Sequence, residues 1–81
     1  MSPAAAKELD LVPASDRAAL IEKAKAFAAD PFGPHPWARP LRGAGDLVGL
    51  RQGDWRAICR VSREHDTVTL DRVAHRREAY R

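Results

Sequence analysis

Leu47-Val48-Gly49-Leu50-Arg51-Gln52-Gly53-Asp54-Trp55-Arg56-Ala57-Ile58-Cys59-Arg60-Val61 is the stretch that decides the fold. Leu47, Val48 and Leu50 lead into Gln52-Gly53-Asp54, whose glycine and aspartate mark a tight turn. After it Trp55, Ala57, Cys59 and Val61 alternate with Arg56, Ile58 and Arg60, the two-residue period of a strand with one buried face. The segment is therefore a β-hairpin. A second turn at Arg63 to Asp66 leads into residues 67–73, with Val68 and Leu70 on one face and Thr67, Thr69 and Asp71 on the other. The expectation is a three-stranded antiparallel meander.

Working outward toward the N-terminus, the period changes. Ser2 followed by Pro3 fits a cap and first helical residue, and Ala5, Leu9 and Val12 recur at helical spacing until Pro13. Ser15 is the expected cap of a second helix, in which Leu20, Ile21, Ala24, Phe27 and Ala28 form one apolar stripe. Asp30-Pro31 ends it, because the residue before a proline is driven out of the helical region. Residues 31–45 hold Pro31, Pro34, Pro36 and Pro40 with Gly33, Gly43 and Gly45, so a connecting loop without regular structure is expected. Trp37 within it is expected to cover the edge of the core. The fold class is α+β: an N-terminal helical hairpin packed on a three-stranded antiparallel sheet, in a single domain over residues 1–81.

Composition bounds what such a domain does. At 44% hydrophobic and 31% charged residues the chain has the balance of a folded protein rather than a disordered tail. No early run is apolar enough for a leader or a membrane span, since Lys7, Glu8, Asp10, Asp16 and Arg17 interrupt every one, and a cytoplasmic location is expected. The single cysteine, Cys59, has no second thiol for a disulfide or a zinc set, and no metal or cofactor is implied. Its inward position and the lack of a paired base favour a small buried hydrophobe over a nucleophile.

Charge is distributed unevenly. Residues 1–38 carry four basic and five acidic side chains, whereas residues 39–81 carry ten arginines against six acids. The second half is basic through arginine alone. The planar guanidinium fork suits bidentate phosphate contacts and stacking on bases better than lysine does, so the half running from Arg51 to the tail reads as an RNA-binding surface or as a solvated basic face, and charge by itself does not choose between them.

Two segments carry a resemblance. Leu50-Arg51-Gln52-Gly53-Asp54-Trp55-Arg56-Ala57-Ile58-Cys59-Arg60-Val61 and Val73-Ala74-His75-Arg76-Arg77-Glu78-Ala79-Tyr80-Arg81 resemble the hairpin and tail of the RelE/ParE family of bacterial toxins. Ala6-Lys7-Glu8-Leu9, the Asp30-Pro31 helix stop and Leu41-Arg42-Gly43 stand in the matching order upstream. The resemblance implies a toxin of a toxin-antitoxin system, held inactive by a cognate antitoxin, alone or as a homo- or hetero-oligomer with it. RelE-type members bind the ribosome and cut messenger RNA, an activity that here would be a metal-independent endoribonuclease inhibiting translation. ParE-type relatives act on DNA gyrase, and a degenerate, non-toxic binding module is a third reading. Fold does not choose among these.

Cleavage of RNA without a metal requires activation of a 2′-hydroxyl, charge stabilisation at phosphorus and protonation of the leaving 5′-oxygen. By the resemblance, Arg56 and Arg76 match arginines that neutralise the scissile phosphate, and Tyr80 matches a tyrosine that stacks on or orients the nucleotide. His75 is a possible acid or base, since the imidazole of histidine can take either role at neutral pH. Arg51, Arg60 and Arg77 extend the RNA-binding surface. The chain also departs from the family. Where RelE-type nucleases often carry lysines on the first hairpin strand, it has Leu47, Val48 and Gly49, and a lysine-based mechanism is not open to it. Family members typically open with a strand, whereas Met1-Ser2-Pro3 runs directly into a helix, so the sheet is expected to lack that strand and to leave an edge unpaired.

Overall fold

The structure, a computed structural model, describes residues 1–31, 33–41 and 46–75. Ser2 caps the first helix as its sequence implies: its Oγ accepts the Ala5 amide at 3.1 Å, and Pro3 needs no amide partner at the first helical position. Helix α1 (Pro3–Leu9) follows. Helix α2 (Ala14–Ala29) starts one residue before the expected cap. Pro13, with φ fixed at −51°, sets the entry, and its carbonyl accepts the Arg17 amide at 2.8 Å; Ser15 lies inside the first turn and caps nothing. Asp30 ends the helix before Pro31. Leu20 and Phe27 are buried along α2, Ile21 and Ala24 pack beside them, and Ala28 falls off the stripe into solvent.

The sheet has four strands rather than three: β1 (Ala38–Pro40), β2 (Leu47–Gln52), β3 (Trp55–Ser62) and β4 (Thr67–His75), antiparallel throughout and ordered β1-β2-β3-β4. The additional strand lies in the proline-rich stretch expected to be irregular. Arg51 donates its amide to Trp37 O at 2.8 Å and Leu41 to Leu47 O at 3.0 Å, closing a three-residue ladder around Ala38 and Arg39. Pro40 is tolerated because β1 is an edge. Trp37 packs against the core as expected, with Lys23 Nζ 5.9 Å from its ring centre. The β2–β3 turn has two central residues, and Gly53 supplies the first with φ of +56°, a left-handed conformation that glycine adopts without penalty.

Both helices lie on one face of the sheet. Leu9, Val12, Leu20 and Phe27 meet Leu50, Ala57, Cys59 and Val73 to form the core. Val73 reaches it through a register shift. Strict alternation from Leu70 would point Arg72 inward and Val73 outward, but Cys59 pairs with Leu70 while Ile58 pairs with Arg72, leaving Asp71 unmatched. This β-bulge returns Val73 to the core, where it is 2% exposed, and turns Arg72 out.

Among the described residues no strand precedes α1, and its N-terminal end takes up the outer edge of β4 instead. Ser2 N donates to Leu70 O at 2.9 Å, Ser2 Oγ to Asp71 O at 2.8 Å, and Glu8 Oε1 accepts the Val73 amide at 3.0 Å. An edge that would otherwise invite a foreign strand is blunted by a helix cap and a carboxylate. No described helix is long and apolar enough to cross a membrane.

Candidate functional site

Residues paired across an antiparallel ladder share a face, and the face alternates along each strand. With the helices on the side of Leu50, Ala57 and Val73, the opposite side carries Arg39 beside Gly49, and Arg51 beside Arg56. No helix covers this second side among the described residues. The pleat therefore gathers three arginines from three strands around one glycine. They line, with Pro36 and Trp37, a shallow pocket of about 130 Å³.

Arg51 and Arg56 are directly opposite one another. Like charges in that relation repel and weaken a sheet, and an anion placed between them would relieve the repulsion. Arg56 is half-buried, and its Nη1 donates to Gly53 O at 3.0 Å and to Trp55 O at 2.9 Å. The turn carbonyls hold one end of the guanidinium and leave its remaining donors for a ligand. Arg51 is exposed, and its backbone is fixed at both ends: the amide by Trp37 O and the carbonyl by Lys23 Nζ at 2.7 Å. Lys23 also donates to Gln52 Oε1 at 2.8 Å, and Gln52 Nε2 donates to Asp16 Oδ1 at 3.2 Å, so α2 holds the base of the hairpin turn from below.

The other residues singled out from the sequence are distributed differently. Arg60 stands on the same open face but is bridged to Asp46 at 3.2 Å and Asp71 at 3.7 Å. His75 pairs with Trp55, one residue out of phase with Arg56, and so faces the helices; its ring meets Trp55 edge-on at 5.3 Å. The sheet does not bring His75 to the arginine face. Arg76, Arg77 and Tyr80 lie outside the described residues. Arg39 and Gly49 were not singled out from the sequence, because only the pairing of a strand hidden among prolines places them in the site.

Two further groups have shifted chemistry without belonging to the pocket. Arg72 forks onto Glu8, its Nε 3.0 Å from both carboxylate oxygens and its Nη2 2.7 Å from Oε2. That hydrogen bonding, with help from the Val73 amide, holds the Glu8 carboxyl below its usual range, against the opposing effect of its partial burial. Cys59 is 1% exposed, and burial pushes its thiol up to about 11, as expected of a small core residue. No set of three or more histidine, cysteine or carboxylate side chains able to hold a metal occurs among the described residues.

The comparisons with known proteins agree with the architecture. The family model of the ParE toxin of type II toxin-antitoxin systems matches residues 1–80. A chain of the toxin-antitoxin complex RelBE2 from Mycobacterium tuberculosis superposes with a TM-score of 0.73 at 30% identity, over 93% of this chain and 91% of that one. A chain of the RelB-RelE antitoxin-toxin complex from Methanococcus jannaschii gives a TM-score of 0.79 at 20% identity, over 98% and 92% of the two chains, a likeness of fold. The search of curated proteins gave no match.

Proposed function

This chain belongs to the ParE toxin family of type II toxin-antitoxin systems, and we propose that it arrests translation by engaging and cutting messenger RNA on the ribosome through its open arginine face. The observation that carries this reading is the facing pair Arg51 and Arg56, two like charges that an anionic ligand would reconcile. RNA supplies phosphodiesters at a spacing that a row of guanidinium groups can follow.

In the cleavage step the 2′-hydroxyl gives its proton to water as its oxygen attacks phosphorus, the bond to the 5′-oxygen breaks, and water returns a proton to that leaving oxygen, leaving a 2′,3′-cyclic phosphate. Arg56 faces the non-bridging oxygens as charge builds on them, and Arg51 holds an adjacent phosphate. Arg76 is assigned the second contact to the reacting phosphate, Arg77 a further phosphate contact and Tyr80 the orientation of the nucleotide, by the resemblance of the tail. His75 is assigned no proton transfer. Edge-on to Trp55, it anchors the end of β4 from which the tail continues. The partner is an antitoxin whose acidic segment covers the arginines, consistent with the toxin-antitoxin complexes among the structural neighbours.

Inhibition of DNA gyrase by binding alone is the second reading. It is favoured by one observation: among the described residues the open face holds guanidinium groups but no imidazole, lysine or phenol to move a proton. Purified protein separates the two. Loss of full-length transcript in a translation extract, with gyrase supercoiling untouched, supports the RNA reading, and inhibited supercoiling in the absence of ribosomes contradicts it.

A further inference from the structure

Gly49 is the one position of β2 on the open face that carries no side chain, and its neighbours make the gap specific. Arg39 stands directly across the ladder on β1, Arg51 lies two residues along on β2, and Arg56 faces Arg51 from β3. A side chain at Gly49 would begin to fill this space; even a Cβ would come within 3.3 Å of Leu41 Cδ2 and 3.8 Å of Arg39 O. The result is a recess about 130 Å³ in volume, walled by three cationic groups and by Pro36 and Trp37. Neither Arg39 nor Arg51 has an ion pair through its side chain among the described residues, in contrast to Arg60 and Arg72 on the same sheet.

We propose that Arg39 is a third phosphate-binding arginine, and that the recess over Gly49 seats one phosphodiester of a single-stranded RNA between Arg39 and Arg51 while Arg56 takes the next. This rests on the RNA reading of the arginine face and adds to it the strand order of the contacts: β1, β2, β3. Two considerations select a phosphodiester over other anions. The recess is too shallow to enclose a free nucleotide, and its three guanidinium groups come from three successive strands, Arg39 on β1, Arg51 on β2 and Arg56 on β3, so that consecutive phosphates of one chain can engage them in turn. A protein carboxylate would be met by one guanidinium, whereas successive phosphates engage several in register.

The test is the salt dependence of binding of the full chain to a short single-stranded RNA oligonucleotide. Each phosphate contact adds about 0.7 to the slope of log affinity against log salt. Arg39→Gln is expected to lower that slope by about 0.7 and the affinity about ten-fold, and Arg39→Lys to restore the slope. Because β1 is an exposed edge, both variants are expected to melt with the parent. A second measurement needs no variant: in a titration with the same RNA, the Nε–H signals of Arg39, Arg51 and Arg56 should shift together in nuclear magnetic resonance spectra. If Arg51 and Arg56 respond and Arg39 neither shifts nor alters the slope, the role of Arg39 is wrong while the RNA reading stands. If none of the three responds to RNA, or they respond to gyrase instead, both fail.

Discussion

Glu8 Oε1 accepts the Val73 amide at 3.0 Å, so a side chain of α1 occupies the hydrogen-bonding position that a further strand would take on the outer edge of β4. The same carboxylate receives the fork of Arg72, which faces outward only because the bulge at Asp71 reverses the alternation. One residue thereby ties the helix to the edge, keeps Val73 in the core and limits association through β4.

Glu8 makes the stability of the domain dependent on pH. Its folded-state pKa lies below the ordinary 4.5, so the carboxylate's contribution is fully present above that value and is lost as pH falls through the lower, folded-state value. Glu8→Gln keeps the shape without the charge. Thermal melts should show the variant below the parent at pH 7, with the gap closing as pH falls through the lowered folded-state value. A gap independent of pH would show that the ionised form contributes nothing.

Ser2 serves both the cap of α1 and the edge of β4, accepting from Ala5 and donating to Asp71 O. Ser2→Ala should therefore cost more than an ordinary cap, about 2 kcal/mol in urea unfolding rather than the typical ~1. A loss near the ordinary value would mean that the bond to β4 adds nothing.

His75 is placed on the helix side of the sheet, against Trp55. His75→Gln is expected to lower the melting temperature while leaving the pH profile of toxin activity unchanged in shape between pH 5 and 8. Loss of an inflection near the ordinary histidine range would make it the acid or base after all.

Cys59 should behave as a core residue. With the thiol pushed up to about 11, roughly a thousandth of it is ionised at pH 8, and it is 1% exposed. Disulfide reagents at that pH should label it at the rate of unfolding, at least about 100-fold more slowly than in denaturant. Rapid labelling of the native chain would contradict the burial.

The sequence made some of this legible and concealed the rest for identifiable reasons. Alternation on either side of Gly53 was enough to place β2 and β3, since burial on one face imposes a period of two. The cap at Ser2 and the stop at Asp30 followed from local chemistry. β1 was hidden because its three residues gain their partners from β2, and nothing local in a proline-rich stretch announces a pairing made ten residues away. Arg39 was hidden with it. The bulge was concealed for a similar reason: only the tertiary demand that Val73 be buried reveals that Asp71 is an extra residue. That shift in phase also decides which neighbours of His75 share its face: strict alternation from Leu70 would put the histidine on the side of Arg56, whereas the bulge turns it to the side of Trp55.

The role of the arginine face is tested most directly by primer extension on messenger RNA from a translation extract exposed to the purified parent chain and to Arg56→Gln. The proposed function predicts discrete cuts within the translated region for the parent and a loss of about 100-fold in cutting for the variant, the cost of removing one preorganised charge donor. Equal cutting by the two proteins, or intact transcripts with the parent at concentrations that arrest translation in the extract, would contradict it.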